Sequence, residues 1–199
     1  MYKKFLSLLL IIGLSACGFF QQPAPKSDFS RTISNKAQIQ LKAKSIDIVS
    51  EFAPSFTRPN IEHLLPVSIE RNARTWAREN LEAAEPHSNR IATFIIKDAS
   101  MTETIEKSNS IIRRDQEVYK ASLNVVVRVS DTKTLSSAET QINAWKELSI
   151  PAGMNIDKKE AYWNKMIKEL FDNFDEAMQK SIEQNLSQYV INNNYIQHY

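Results

Sequence analysis

The chain has 199 residues, with 25 lysines and arginines against 23 aspartates and glutamates, three histidines, three glycines and one cysteine. A single cysteine excludes a disulfide within the chain, and a net charge of +2 offers no overall attraction for nucleic acid or anionic lipid. The glycines stand at positions 13, 18 and 153, so the phosphate cradles GxGxxG and GxxxxGK[ST] are absent.

The first sixteen residues, MYKKFLSLLLIIGLSA, set Lys3 and Lys4 ahead of an apolar run from Phe5 to Leu14 and finish on the small pair Ser15 and Ala16. This is the layout of a secretory signal peptide. A membrane-spanning helix needs about 20 apolar residues, and this run is about half that length and interrupted by Ser7 and Gly13. Leu14-Ser15-Ala16-Cys17 resembles the lipobox of bacterial lipoproteins. The resemblance implies cleavage before Cys17, diacylglycerol on its thiol and acylation of the new amine; the competing reading is a free thiol behind an apolar segment. Burial contributes about 0.8 kcal/mol per methylene, so one acyl chain anchors marginally whereas two or three hold a protein on a membrane. Cys17 is then the lipidation site and the anchor. In the same resemblance an aspartate after the cysteine favours inner-membrane retention in many enteric bacteria. Gly18 in that position implies the outer membrane, with the domain facing the periplasm. Removal of residues 1–16 takes away Lys3 and Lys4 and no acid, which leaves equal numbers of bases and acids in a chain long enough for one domain that buries about 70% of its unfolded surface.

Residues 17–35 carry Pro23 and Pro25 in a polar mixture without periodicity and read as the lipidated anchor and a flexible tether. Phe19 and Phe20 either dip into the interface beside the acyl chains or belong to the linker. A single folded domain is expected over residues 36–191, followed by a tail at 192–199. In residues 37–49, Ile39, Leu41 and Ala43 share one parity and Ile46 and Ile48 the other, which predicts two short strands or one bulged strand. Residues 52–68, FAPSFTRPNIEHLLPVS, contain Pro54, Pro59 and Pro66, which exclude a continuous helix or a central strand. Phe52, Phe56, Ile61, Leu64 and Leu65 make this an ordered loop. Ile69, Ala73, Trp76, Ala77 and Leu81 follow helical spacing within residues 67–84.

After a break at residues 85–89, RIATFIIKD at 90–98 is rich in strand formers, and a polar stretch follows around 106–114. VYKASLNVVVRVS, residues 118–130, alternates Ala121, Leu123, Val125, Val127 and Val129 with polar Ser122, Asn124 and Arg128. A turn at 131–135 leads to another strand at 137–150, with Ile142, Ala144 and Leu148 on one face. Asp157 and Glu160 offer a capping box to a helix of about eight turns, whose stripe runs through Trp163, Ile167, Leu170, Phe174, Ala177, Met178, Ile182 and Leu186. The predicted fold class is α+β: a two-layer domain in which a mainly antiparallel sheet of about four strands is covered by two helices, the C-terminal one long.

The histidines, His63, His87 and His198, show no metal-binding spacing such as HExxH, and no GxSxG elbow presents a serine. Neither a metal nor another cofactor is expected. Asp172, Asp175 and Glu176 fall opposite the apolar stripe of the last helix and read as a solvated face. Trp76 and Trp163 lie on apolar stripes and read as core. Trp145 shares a face with Gln141, Asn143 and Glu147, which makes it either an anchor for a partner or a residue covered by the loop or tether. In residues 58–68, Arg58, Glu62 and His63 form a candidate recognition edge above buried Ile61, Leu64 and Leu65, the competing outcome being a packed connector.

SFTRPNIEHLLPVSIERNARTWARENLEA, with IIKDAS and the tryptophan-containing last helix, resembles an uncharacterised group of alphaproteobacterial lipoproteins that brings no assigned activity. In element order the chain is also similar to lipopolysaccharide-assembly lipoproteins and to auxiliary lipoproteins of lipid-transport ABC systems. These resemblances imply a non-enzymatic outer-membrane lipoprotein assisting envelope biogenesis or lipid transport. The partners expected are the membrane through lipidated Cys17 and an envelope protein, with no nucleic acid; the alternative is a periplasmic carrier of a lipid or other hydrophobic ligand.

Overall fold

Alternation of small and branched apolar residues with polar ones produces β6 (Gln116–Asp131), the longest strand, and β7 (Ser137–Pro151) pairs with it antiparallel from Ser130↔Ser137 to Gln116↔Pro151. The computed structural model describes residues 38–109 and 114–191, so the predicted signal peptide, Cys17, the predicted tether and the predicted tail lie outside the described residues. The other edge of β6 carries two strands in line. β4 (Arg90–Asp98) pairs with its second half and β5 (Met101–Glu106) with its first, both antiparallel, with a register shift between Ile96 and Asp98. β2 (Ser45–Ser50) then joins β4 in parallel. The sheet therefore has five strands but is four positions wide, and it is mixed because β2 and β4 are joined by a crossover through α1 (Ile69–Asn80), the connection that parallel strands require.

The parity slip near residue 43 marks a change of sheet. β1 (Ile39–Leu41) pairs in parallel with β3 (Leu81–Ala83) in a separate two-stranded sheet, and the chain turns at residues 42–44 into β2. Two short strands, one of the two predicted outcomes, are what forms. Leu81 closes α1 as its C-cap, its N–H donating to the Ala77 carbonyl, and begins β3, whose continuation is held by the Ala84 N–H donating to the Leu41 carbonyl at 3.0 Å. The described C-terminus returns to the same place, where Ile191 N–H donates to the Gln40 carbonyl at 2.8 Å.

The helices cover one face. Ser68 caps α1 by accepting from the Arg71 N–H. The long helix α2 (Ile156–Asn185) starts two residues earlier than a cap at Asp157 would allow: Asn155 is the cap, accepting from the Lys158 N–H at 3.1 Å. Its side-chain oxygen satisfies one of the amides left free in a helix's first turn. Between the layers Trp76 meets Phe174 edge-on, ring centroids 5.0 Å apart, and lies 5.8 Å from Phe94. The Trp76 indole N–H donates to Asp175 Oδ1 at 2.8 Å. Asp172 and Glu176 are exposed as expected, but Asp175 is half-buried and accepts from the core tryptophan, the kind of acceptor that a buried indole N–H usually finds.

Candidate functional site

The proline-rich loop is laid along the free edge of β5. Ile61 N–H donates to the Met101 carbonyl at 2.8 Å, Glu103 N–H donates to the Pro59 carbonyl at 2.8 Å, and Asn60 bridges Thr102. Prolines suit this position because they cap a sheet edge without demanding further ladder partners. Ile61 and Leu65 are buried, as expected, whereas Leu64 is 50% exposed. A short 3₁₀ turn at Glu62–Leu64 produces this exchange. It directs Glu62 inward, so that Glu62 is only 4% exposed and does not belong to a recognition edge. Glu62 Oε1 accepts from the Ser55 N–H at 2.7 Å and ties the loop to itself, while Oε2 is buried without a hydrogen-bond partner among the described residues. The surface left outside consists of Arg58, His63 and Leu64 with Phe56, which is 75% exposed and stands 5.4 Å from the His63 ring.

Arg58 leads into an ionic group that the sequence reading missed. Its guanidinium pairs with Glu103 on β5. Glu103 Oε1 and Glu117 Oε2 each lie 2.7 Å from the Tyr119 hydroxyl, and Lys159 Nζ of α2 is 2.6 Å from Glu117 and 4.0 Å from Glu103. The hydroxyl has one hydrogen and can donate to one carboxylate at a time. Burial pushes the Glu117 carboxyl up, but hydrogen bonds from Lys159, Tyr119 and the Gly153 N–H, with the Lys159 charge, outweigh it and hold the group below the ordinary carboxylate range. Burial, then the hydrogen bonds and charges of both glutamates, push the Tyr119 phenol well above its usual range. The group joins the loop, β5, β6 and α2 electrostatically. Glu103 and Glu117 sit where strand alternation places apolar side chains, a signal visible only once the β5–β6 register is known.

Trp145 stands on the sheet face away from the helices, opposite Ser122 in the β6–β7 register, and is 59% exposed. Lys120 Nζ lies 5.5 Å from its ring centroid, a cation–π distance. The proline-rich loop does not cover Trp145, and the predicted tether, the other cover foreseen for it, lies outside the described residues. The two candidate surfaces are not brought together: the loop follows β5 and Trp145 lies on β7, and these flank opposite edges of β6. His87 is an exposed turn residue, while Cys17 and His198 fall outside the described residues.

Space between the layers is filled by Trp76, Phe94, Tyr119, Trp163 and Phe174. An open cleft of about 360 Å³ lies instead at the end of the sheet, lined by Arg114, Pro151 to Asn155 and Lys158. Among the described residues no helix is long and apolar enough to cross a membrane, and no group of His, Cys, Asp and Glu is arranged to hold a metal.

No protein-family model matches the chain, and no curated protein matches its sequence. Among solved structures it is similar to a minor lipoprotein from Acinetobacter baumannii, with 9% identity and a TM-score of 0.37 over 76% of this chain and 98% of that one. It is also similar to a Xanthomonas campestris protein of family DUF330, with 8% identity and a TM-score of 0.29 over 72% and 92% of the two chains. A third similarity is to a neuraminyllactose-binding hemagglutinin homolog from Helicobacter pylori, with 10% identity and a TM-score of 0.29 over 76% and 95%.

Proposed function

We propose that this chain is a non-enzymatic lipoprotein, held on the outer membrane through acylated Cys17 and facing the periplasm, that serves as an accessory or assembly factor in envelope biogenesis or lipid transport. The observation that carries the reading is the sequence LSAC directly behind a charged and apolar leader. The domain behind the tether supplies two rigidly mounted contact surfaces. Arg58, Phe56 and His63 are displayed on a loop pinned to β5, and Trp145 is displayed on β7. Aromatic and arginine side chains presented on ordered backbone are the residue types that dominate binding energy at interfaces.

The test has two parts. Mass spectrometry of the protein extracted from cells shows a triacylated or diacylated Cys17, and Cys17→Ser moves the protein from the outer-membrane fraction to the soluble periplasm. Crosslinking in intact cells then captures an envelope protein, and His63→Asp or Trp145→Asp reduces the yield. An unmodified Cys17 would remove the anchor from the proposal, and capture unaffected by both substitutions in folded protein would remove the surfaces.

A further inference from the structure

We propose that the free edge of β7 pairs antiparallel with β7 of a second copy of this chain, with the two Trp145 residues at the centre of the pair. The inference rests on reading Trp145 as a contact residue, and it names the partner. β7 is 15 residues long and is paired along its whole length with β6, and among the described residues no strand meets its other edge. The edge of β5, by contrast, is covered by the proline-rich loop. A long uncovered edge is a template for another strand.

The charges on β7 select the occupant and the register. Residues opposed in an antiparallel pair lie on the same face of the sheet, so a symmetric pair of β7 strands is centred on one residue. A centre at Asn143 sets Glu147 against Glu139 of the second copy. Centres at Lys146 or Glu147 set that charge against itself. A centre at Ala144 avoids like charges but faces Ile142 with Lys146 and Leu148 with Thr140. Only the centre at Trp145 opposes Leu148 with Ile142 and Glu147 with Asn143 while bringing the two indoles together; centres further out shorten the overlap. Ile142, Ala144 and Leu148 are half-buried, packed against the core from one side, and a second strand would cover what is left of them. An inward-pointing lysine normally guards an edge, but Lys146 is neutralised by Glu169 of α2 at 2.8 Å.

The experiment uses the full-length chain in its own envelope, with Trp145→Cys. Residues directly opposed in an antiparallel pair have Cα atoms about 4.5–5.5 Å apart, within the span of a disulfide. The expected result is a band shifted from the monomer to twice its mass on a non-reducing gel and restored by reductant. The chain with Cys17 alone and the Asn143→Cys chain stay monomeric, and co-expressed Asn143→Cys and Glu147→Cys chains form the mixed dimer. A monomer for Trp145→Cys, or equal dimer from Asn143→Cys alone, overturns the pairing. If Trp145→Cys stays monomeric while crosslinking of the chain with Trp145 intact captures a different envelope protein that Trp145→Asp loses, the contact reading survives and only the second copy is lost. If Trp145→Asp changes no capture at all, both fail.

Discussion

On the helix-facing side of β6, Leu123, Val125, Val127 and Val129 are buried without exception; on the other side of the same strand, Ser122, Asn124 and Arg128 stay partly open beside exposed Trp145. One strand thus supplies a packed interior and a surface available for contact, and the period of two in its sequence is enough to do so. The open face is not uniformly wet. Ile95 and Val126 are 4% and 3% exposed there, neighbours in register and flanked by the Arg128–Glu139 pair and the hydrogen bond from Gln141 to Asn124. The contrast sets a face that holds the fold against the face on which the proposed contact residue Trp145 stands, so substitutions on the two sides should separate cleanly.

The largest effect is expected at the centre of the covered face. Phe174→Ala removes a fully buried ring that touches Trp76 and Phe171, and large-to-small changes of this kind cost about 3–5 kcal/mol. Urea unfolding should show a lower midpoint with an unchanged slope. A loss under about 1 kcal/mol would mean that the layers are not packed as described.

The ionic end of the same face should respond less and differently. Lys159→Met takes from Glu117 its paired cation while Glu103 keeps Arg58, and leaves the two glutamates facing each other around Tyr119, at a cost of about 2–3 kcal/mol for a partly buried pair. Glu117 is held below its reference value of 4.5 in the folded protein, so the unfolded chain takes up its proton first as pH falls. Its contribution is therefore present above that pH and disappears as pH drops through the lower folded value. Wild-type stability followed from pH 7 into acid should fall in this window, and the Lys159→Met curve should be flatter there. Parallel curves would show that Lys159 is not what lowers Glu117.

A smaller loss is expected at the join between the layers. Trp76→Phe keeps most of the ring but deletes the N–H that reaches Asp175, which should cost about 1–2 kcal/mol by thermal or urea unfolding. Asp175→Asn retains an acceptor and should cost less. Equal losses from the two variants would point to a role for the Asp175 charge beyond accepting that bond.

Elements with sustained period were legible from sequence: α1, β6, β7 and α2 stand where 3.6 or 2.0 spacing placed them, and β4 stands where a run of β-branched and aromatic residues placed it. β5 was not, because MTETIE buries Met101 alone and draws its ladder from β6 and from the loop beside it. Glu62 was misplaced for a related reason. Polarity along a proline-rich segment suggests solvent, but a single 3₁₀ turn decides which side chain goes in, and Leu64 came out in its stead. The Tyr119 group was illegible because its members come from the loop, β5, β6 and α2, and nothing in the local spacing of any one links them. The outward placement of Trp145 was legible because it stands on an otherwise polar parity of β7, a pattern that survives folding unchanged.

The smallest effect on stability, and the sharpest test of the contrast between faces, belongs to Trp145→Asp. In a single copy its ring is 59% exposed, and Lys120, the cation beside it among the described residues, is itself exposed, so in protein dilute enough to be monomeric the unfolding free energy should change by no more than about 0.5 kcal/mol. Capture of partners, read by crosslinking in cells, should fall in the same variant. The covered face gives the opposite signature, in which Phe174→Ala loses stability first and binding only as the folded fraction drops. If Trp145→Asp instead destabilises the domain as much as Trp76→Phe, the open face is supporting the fold. The division of labour across β6 would then have to be abandoned, because a residue that water already surrounds has no desolvated contacts to lose unless something outside the described residues covers it.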